Sequence, residues 1–245
     1  MEHVLFAVAI FIANIIQGLT GFAGSLLAMP PSINILGLIP AKVAVNTFGL
    51  VSSVILFVKN FRKLEWKEAV KIIILMGLGL GTGIALTNIV EGNILLNIYA
   101  VFIILVALKE MFYKGALDFN EIGLIIILFV AGLFQGLFVS GGPLLIIYVS
   151  KKIKDTNAHR GTLGLIWIFM NASMMIQQIS SGLFTTSNIT NILIGLPAVF
   201  LGVWIGGKLA QKLDRQKFLR IVYILLIISA LTLYCKMTEC GRISI

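Results

Sequence analysis

"ANIIQGLTGFAGSLLAMPP", residues 13–31, decides how this chain is to be read. It is apolar enough to enter a bilayer, yet it carries Gly18, Gly21 and Gly24 and then the pair Pro30–Pro31. A helix crossing hydrocarbon has little use for so many breakers, because proline removes a backbone donor and glycine weakens the helix. A second stretch, "AGLFQGLFVSGGPLLIIYV" at 131–149, breaks at the corresponding place. Gln17-Gly18-Leu19 recurs as Gln135-Gly136-Leu137, an offset of 118. Gly24, Leu26 and Leu27 recur at the same offset as Gly142, Leu144 and Leu145.

The rest of the chain supplies the setting. Of 245 residues, 59% are hydrophobic and 12% charged, and the mean hydropathy is +1.04. Apolar segments fall near 4–22, 24–39, 43–58, 70–89, 94–112, 122–139, 143–150, 162–183, 189–207 and 217–235. Runs of this kind read as membrane helices, without the strict alternation of an outer-membrane barrel. The polar connections are too short to hold a soluble domain. The expected fold is therefore an all-α polytopic membrane protein of about eight membrane segments, with two Gly-rich segments broken or re-entrant.

Order along the chain suggests duplication. Beyond the breaks, Ala41-Lys42 aligns with Ala158-His159 at 117, and residues 81–98 align with 204–221 at 123. Each match is short, but they keep their order, so residues 1–115 and 116–245 read as two copies of one unit.

Charge orients the copies. The chain has 19 Lys and Arg against 10 Asp and Glu, a net charge of +9. Basic residues flanking membrane spans explain that excess better than nucleic-acid binding does. If every segment crossed once, the basic loops would divide between both faces. If each broken segment instead enters and leaves on one face, all basic residues except Lys42, Lys236 and Arg242 share a side. The hairpin arrangement fits the positive-inside rule and gives the two copies opposite orientations, a transporter architecture. The N-terminus lacks a basic stretch and a small-residue cleavage site, and is read as part of the mature protein. Cys235 and Cys240 form neither a zinc motif nor a disulfide framework.

Irregular backbone at membrane depth persists only inside protein or beside a polar cavity. In the second break, Ser140 is placed to cap a new helix, Gly141 and Gly142 to permit the turn, and Pro143 to open the helix. The free N–H groups and positive dipole end of that helix would favour an anion. Thr20 and residues 21–25 would do the same in the first break, with Gln17 and Gln135 donating side-chain amides. Lys42 and Arg160 each open the span after a break; they either snorkel to the interface or draw an anion inward. Gly77, Gly79, Gly81, Gly83, Gly202 and Gly206 read as close helix contacts, and the polar residues Asn14, Asn46, Asn171, Gln177 and Gln178 as interhelical hydrogen bonds.

Other chemistries lack their residues. The acidic residues, His3 and His159 all lie in loops or at segment ends, which leaves no intramembrane proton relay. No H-E-x-x-H, G-x-S-x-G or Walker-type motif occurs. The expectation is a protein that is not an enzyme and has no cofactor, metal site or nucleic-acid partner.

"QGLTGFAGSLLAMPPSINILG" and "QGLFVSGGPLLIIYV" resemble the paired Gly-rich motifs of the sulfite exporter TauE/SafE family of membrane permeases. Chain length and the duplicated plan resemble it too. The resemblance implies a secondary transporter in the cytoplasmic membrane for small anions such as sulfite, sulfonates or other organosulfur acids. Its motifs fall on Gly18, Gly21, Gly24, Gly136, Gly141, Gly142 and Pro143; Ala23 stands where a Gly-Gly pair is usual. Together with Gln17, Thr20, Gln135, Ser140 and Arg160 these are the expected substrate-binding residues. The expected partners are a small anionic solute, the lipid bilayer and a possible second copy of the chain. The alternatives are an anion channel on the same fold, or a membrane scaffold or assembly factor that transports nothing.

Overall fold

The computed structural model describes residues 2–61, 64–112, 119–153 and 155–209, with Ile224 and Ile227. The first five helices are α1 (Glu2–Thr20), α2 (Gly24–Leu36), α3 (Leu38–Asn60), α4 (Trp66–Ile89) and α5 (Gly92–Phe112). Then follow α6 (Glu121–Phe138), α7 (Gly142–Lys152), α8 (Thr156–Ser180) and α9 (Thr186–Leu209). The expected segment at 217–235 lies outside the described residues, as does the alignment beyond Leu209. Seven of these helices are long and apolar enough to cross a membrane; α2 and α7 are not among them. With 13 and 11 residues, these two reach about 20 and 16 Å at 1.5 Å per residue, short of a hydrocarbon core about 30 Å thick. Each follows a break, so the two short pieces are the ones marked by the Gly-rich motifs. The protein is a multi-pass helical membrane protein.

Hydrogen bonds show which helix ends share a face. The Lys152 ammonium pairs with Glu121, so α6 and α7 open on the same side. Tyr148 donates to Glu68 Oε2 at 2.7 Å, and Glu65 N–H donates to Thr162 Oγ1 at 3.2 Å, which brings the α3–α4 and α7–α8 connections to that side as well. It is the basic face. At the opposite end Lys42, early in α3, donates to Thr87, late in α4, at 3.0 Å. The α1–α2 hairpin opens toward that end, since α2 leads directly into α3 through Gly37 at φ 86°. The two hairpins thus enter from opposite faces.

Small residues set the closest helix contacts. A Cβ on Gly79 would lie 2.0 Å from Phe129 O, and one on Gly83 2.3 Å from Leu133 O, both on α6. On the other side of the protein, Gly202 and Gly206 meet α1 in the same way, at Phe11 O (2.8 Å) and Ile15 O (2.1 Å). With no side chain between them, the backbones approach within van der Waals range, which gives membrane helices their attraction. Gly77 and Gly81 meet nothing within 4 Å and take no part in these contacts. The pairs α4–α6 and α1–α9 therefore correspond, and α3 packs on α8 between them. Stacked rings, Tyr99 on Phe138 at 4.5 Å and Phe102 on Phe134 at 3.9 Å between centroids, fasten α5 to α6.

Pro30 and Pro31 do not break the chain. Both lie inside α2, and the interruption comes earlier, at Gly21–Ala23.

Candidate functional site

In the first break α1 ends at Thr20 and Gly21 takes φ 85°, a conformation open to glycine at no steric cost. The Thr20 hydroxyl donates to Ile16 O at 2.8 Å and accepts from Phe22 N–H (3.3 Å) and Ala23 N–H (3.2 Å). The Gln17 amide oxygen accepts from Gly24 N–H at 2.8 Å. The local side chains thus take the donors that the turn would otherwise leave bare.

The second break uses the same device. The Gln135 amide oxygen accepts from Gly141 N–H at 3.1 Å. A Cβ on Gly141 would lie 2.2 Å from Ala131 O, as one on Gly24 would lie 3.0 Å from Ala13 O. The spatial counterpart of Gly24 is therefore Gly141, not Gly142 as the 118 offset suggests. The second break is one residue shorter, and the offset falls to 117 within it, the value at which Ala41 and Ala158 align.

Several expected roles change. Gln17 and Gln135 act at the breaks as acceptors, because the helix starts supply N–H groups that need an oxygen, and Gln17 Nε2 also donates to Gly21 O at 3.5 Å. Ser140 does not cap α7, whose N-cap is Gly141 with no side-chain bond. Its hydroxyl instead donates to Phe138 O at 2.9 Å and lies 2.8 Å from the Tyr99 hydroxyl. The left-handed residue is Val139 (φ 55°), not a glycine. Gly141 and Gly142 are needed for close approach. Pro143 is second in α7, behind Gly142. Gly18 and Gly136 lie within their helices, where they admit the α9 and α4 backbones. Arg160 Nη2 donates to Leu19 O at 2.8 Å, a cation on the last turn of α1.

The two breaks meet. A Cβ on Gly142 would lie 2.7 Å from Phe22 O, and every residue from Thr20 to Gly24 and from Gln135 to Gly142 is buried. The starts of α2 and α7, each with its positive dipole end, converge there from opposite faces. Neither has a side-chain bond from its N-cap. A helix start leaves its first N–H groups without an acceptor in the helix itself; Gln17 receives that of Gly24, and Gln135 receives that of the N-cap Gly141. Converging helix starts suit an anion and repel a cation.

A ladder of amides joins the second break to α3 and α8. Gln135 Nε2 donates to Asn171 Oδ1 at 2.9 Å, and Asn46 Nδ2 lies 3.1 Å from both Asn171 O and Gln178 Oε1. Asn46 Oδ1 is buried without a partner among the described residues. Asn46, Asn171 and Gln178 are the interhelical bonds expected of them, but their union with Gln135 was not legible, since the partners lie far apart in sequence. Tyr99 gave no signal at all: one tyrosine in an apolar run reads as packing. A cavity of about 640 Å³ lies against α5, α6 and α7 and is lined almost wholly by apolar groups such as Val101, Phe134 and Ile147. Such walls suit hydrocarbon, not an anion.

Compared with known proteins, residues 5–233 match the family model described as sulfite exporter TauE/SafE. No curated protein and no solved structure matches the chain.

Proposed function

Because the chain belongs to the sulfite exporter TauE/SafE family, we propose that it is a secondary transporter of small anions, sulfite or a related organosulfur acid, in the cytoplasmic membrane. The observation that carries this reading is the meeting of the α2 and α7 starts at Phe22 and Gly142. In that place unpaired N–H groups cost several kcal/mol each unless a ligand or buried water receives them. An anion held there exchanges its hydration for aimed dipoles. The residues offered for contact are the expected ones around the breaks, with Gln17 and Gln135 fixing the N–H groups and Arg160 holding the end of α1.

Residues 1–115 and 116–245 are proposed as inverted repeats. The matching pairs α1–α9 and α4–α6 support the division, as do hairpins from opposite faces. Rocking of one repeat on the other would open the closed breaks to each face in turn.

The test is thermal unfolding of the purified protein against sulfite, thiosulfate, taurine, sulfoacetate, simple carboxylates and metal cations. A ligand at about a hundred times its Kd adds about 2.7 kcal/mol of stability. Stabilisation by a sulfur oxyanion supports the reading. Stabilisation by cations alone contradicts it.

A further inference from the structure

Lys42 is 6% exposed, at the end of the molecule away from the basic loops. Its ammonium has three donor hydrogens. Among the described residues its one partner is Thr87 Oγ1, at 3.0 Å, and no carboxylate pairs with it. An isolated buried ammonium is among the costliest groups a membrane protein can hold, and such residues face partners or polar cavities. Lys42 faces a cavity of about 40 Å³, walled also by Thr87, Asn88, Gln177 and Gln178. At about 10–15 Å³ per water, the space takes about three waters or one small anion. Asn88 is exposed and opens the pocket to solvent, while Gln178 is buried at its base. Gln178 Oε1 accepts from Asn46, so the pocket floor is also the outer end of the amide ladder that reaches Gly141 N–H.

We propose that this pocket is a second anion site, in which Lys42 receives a small anion on the face opposite the basic loops. The amide ladder links it to the helix breaks. Among the described residues lining the pocket none is acidic, so the anion supplies the counter-charge. The C-terminal turns of α4 and α8 offer only partial charges to the ammonium. The onward path rests on the transport reading above; binding in the pocket does not.

The experiment is thermal unfolding of the full chain titrated with bromide, a small probe, and separately with sulfite, at constant ionic strength with gluconate. Bromide is expected to stabilise the parent protein and Lys42→Arg, and to bind Lys42→Gln at least tenfold more weakly. Asn88→Glu places a carboxylate at the exposed rim and needs no change in the core. It should compete with the probe and weaken bromide at least tenfold, whereas Asn88→Gln should not. Bromide curves unchanged in Lys42→Gln and Asn88→Glu would overturn the proposal and leave Lys42 as a cation serving the end of α4. So would a parent protein that bromide fails to stabilise. Failure of the transport reading looks different: bromide stabilises through Lys42, but no sulfur oxyanion does.

Discussion

Gln17 and Gln135 each place an amide oxygen where a helix break removes a backbone acceptor, 2.8 Å from Gly24 N and 3.1 Å from Gly141 N. Replacing either by leucine leaves a buried N–H unpaired, at a cost of about 1–3 kcal/mol. Gln135→Leu is expected to cost more than Gln17→Leu, because Asn171 Oδ1 loses a donor at 2.9 Å, whereas Gly21 O loses one at 3.5 Å. Thermal unfolding of the two variants checks the order, and equal melting temperatures with the parent would remove the capping role. Gly142→Ala pushes a methyl toward Phe22 O, 2.7 Å away. Holding the breaks apart should lower transport far more than stability, and flux at parental levels would show that their contact does not matter. The sequence marked these glutamines by repeating them. It hid which end of the amide meets the helix start, because an amide both donates and accepts.

Among elements, the α4–α6 seam makes a direct comparison within one helix. Gly79→Ala brings a Cβ to 2.0 Å from Phe129 O, whereas Gly77→Ala meets nothing within 4 Å. The first must spread two helices and should lower the melting temperature by many degrees. The second should be neutral or raise stability by up to about 1 kcal/mol through helix propensity. Equal effects would mean that the seam is not close-packed in the membrane. Helix existence was readable from runs of apolar residues, and every described helix falls on an expected segment, although α3 and α8 begin five and six residues earlier than expected. The breaks were readable from glycine but not their form. Pro30–Pro31 looks like an interruption yet continues α2, and Val139 holds a left-handed conformation that a β-branched residue rarely adopts. Packing partners were harder still, because in a bilayer both the buried and the lipid-facing sides of a helix are apolar. Leu78 is 63% exposed and Leu80 only 4%, and nothing in either residue distinguishes them.

For the whole molecule, the hairpin arrangement fixes which ends share a face. Single cysteines at Lys67 and Ser150, both exposed, should react from one side of the membrane in a background lacking Cys235 and Cys240. Those at Glu91 and Thr186, also exposed, should react from the other. Opposite labelling of positions 67 and 150 would contradict the arrangement. Charge made this topology legible, since only a same-face return of the broken segments gathers the basic loops. The repeated breaks already suggested an anion held between them; their direct contact at Phe22 and Gly142 was not legible, because it depends on how far each hairpin reaches into the other half. The most direct test of the account is flux in proteoliposomes, with labelled sulfite and organosulfur acids followed over a range of concentrations. Protein-dependent flux of an anion is expected to saturate, to compete with its analogues, and to fall in Gly142→Ala. Flux that rises without saturation would point to a channel, and well-folded protein that moves none of these anions would contradict the central claim.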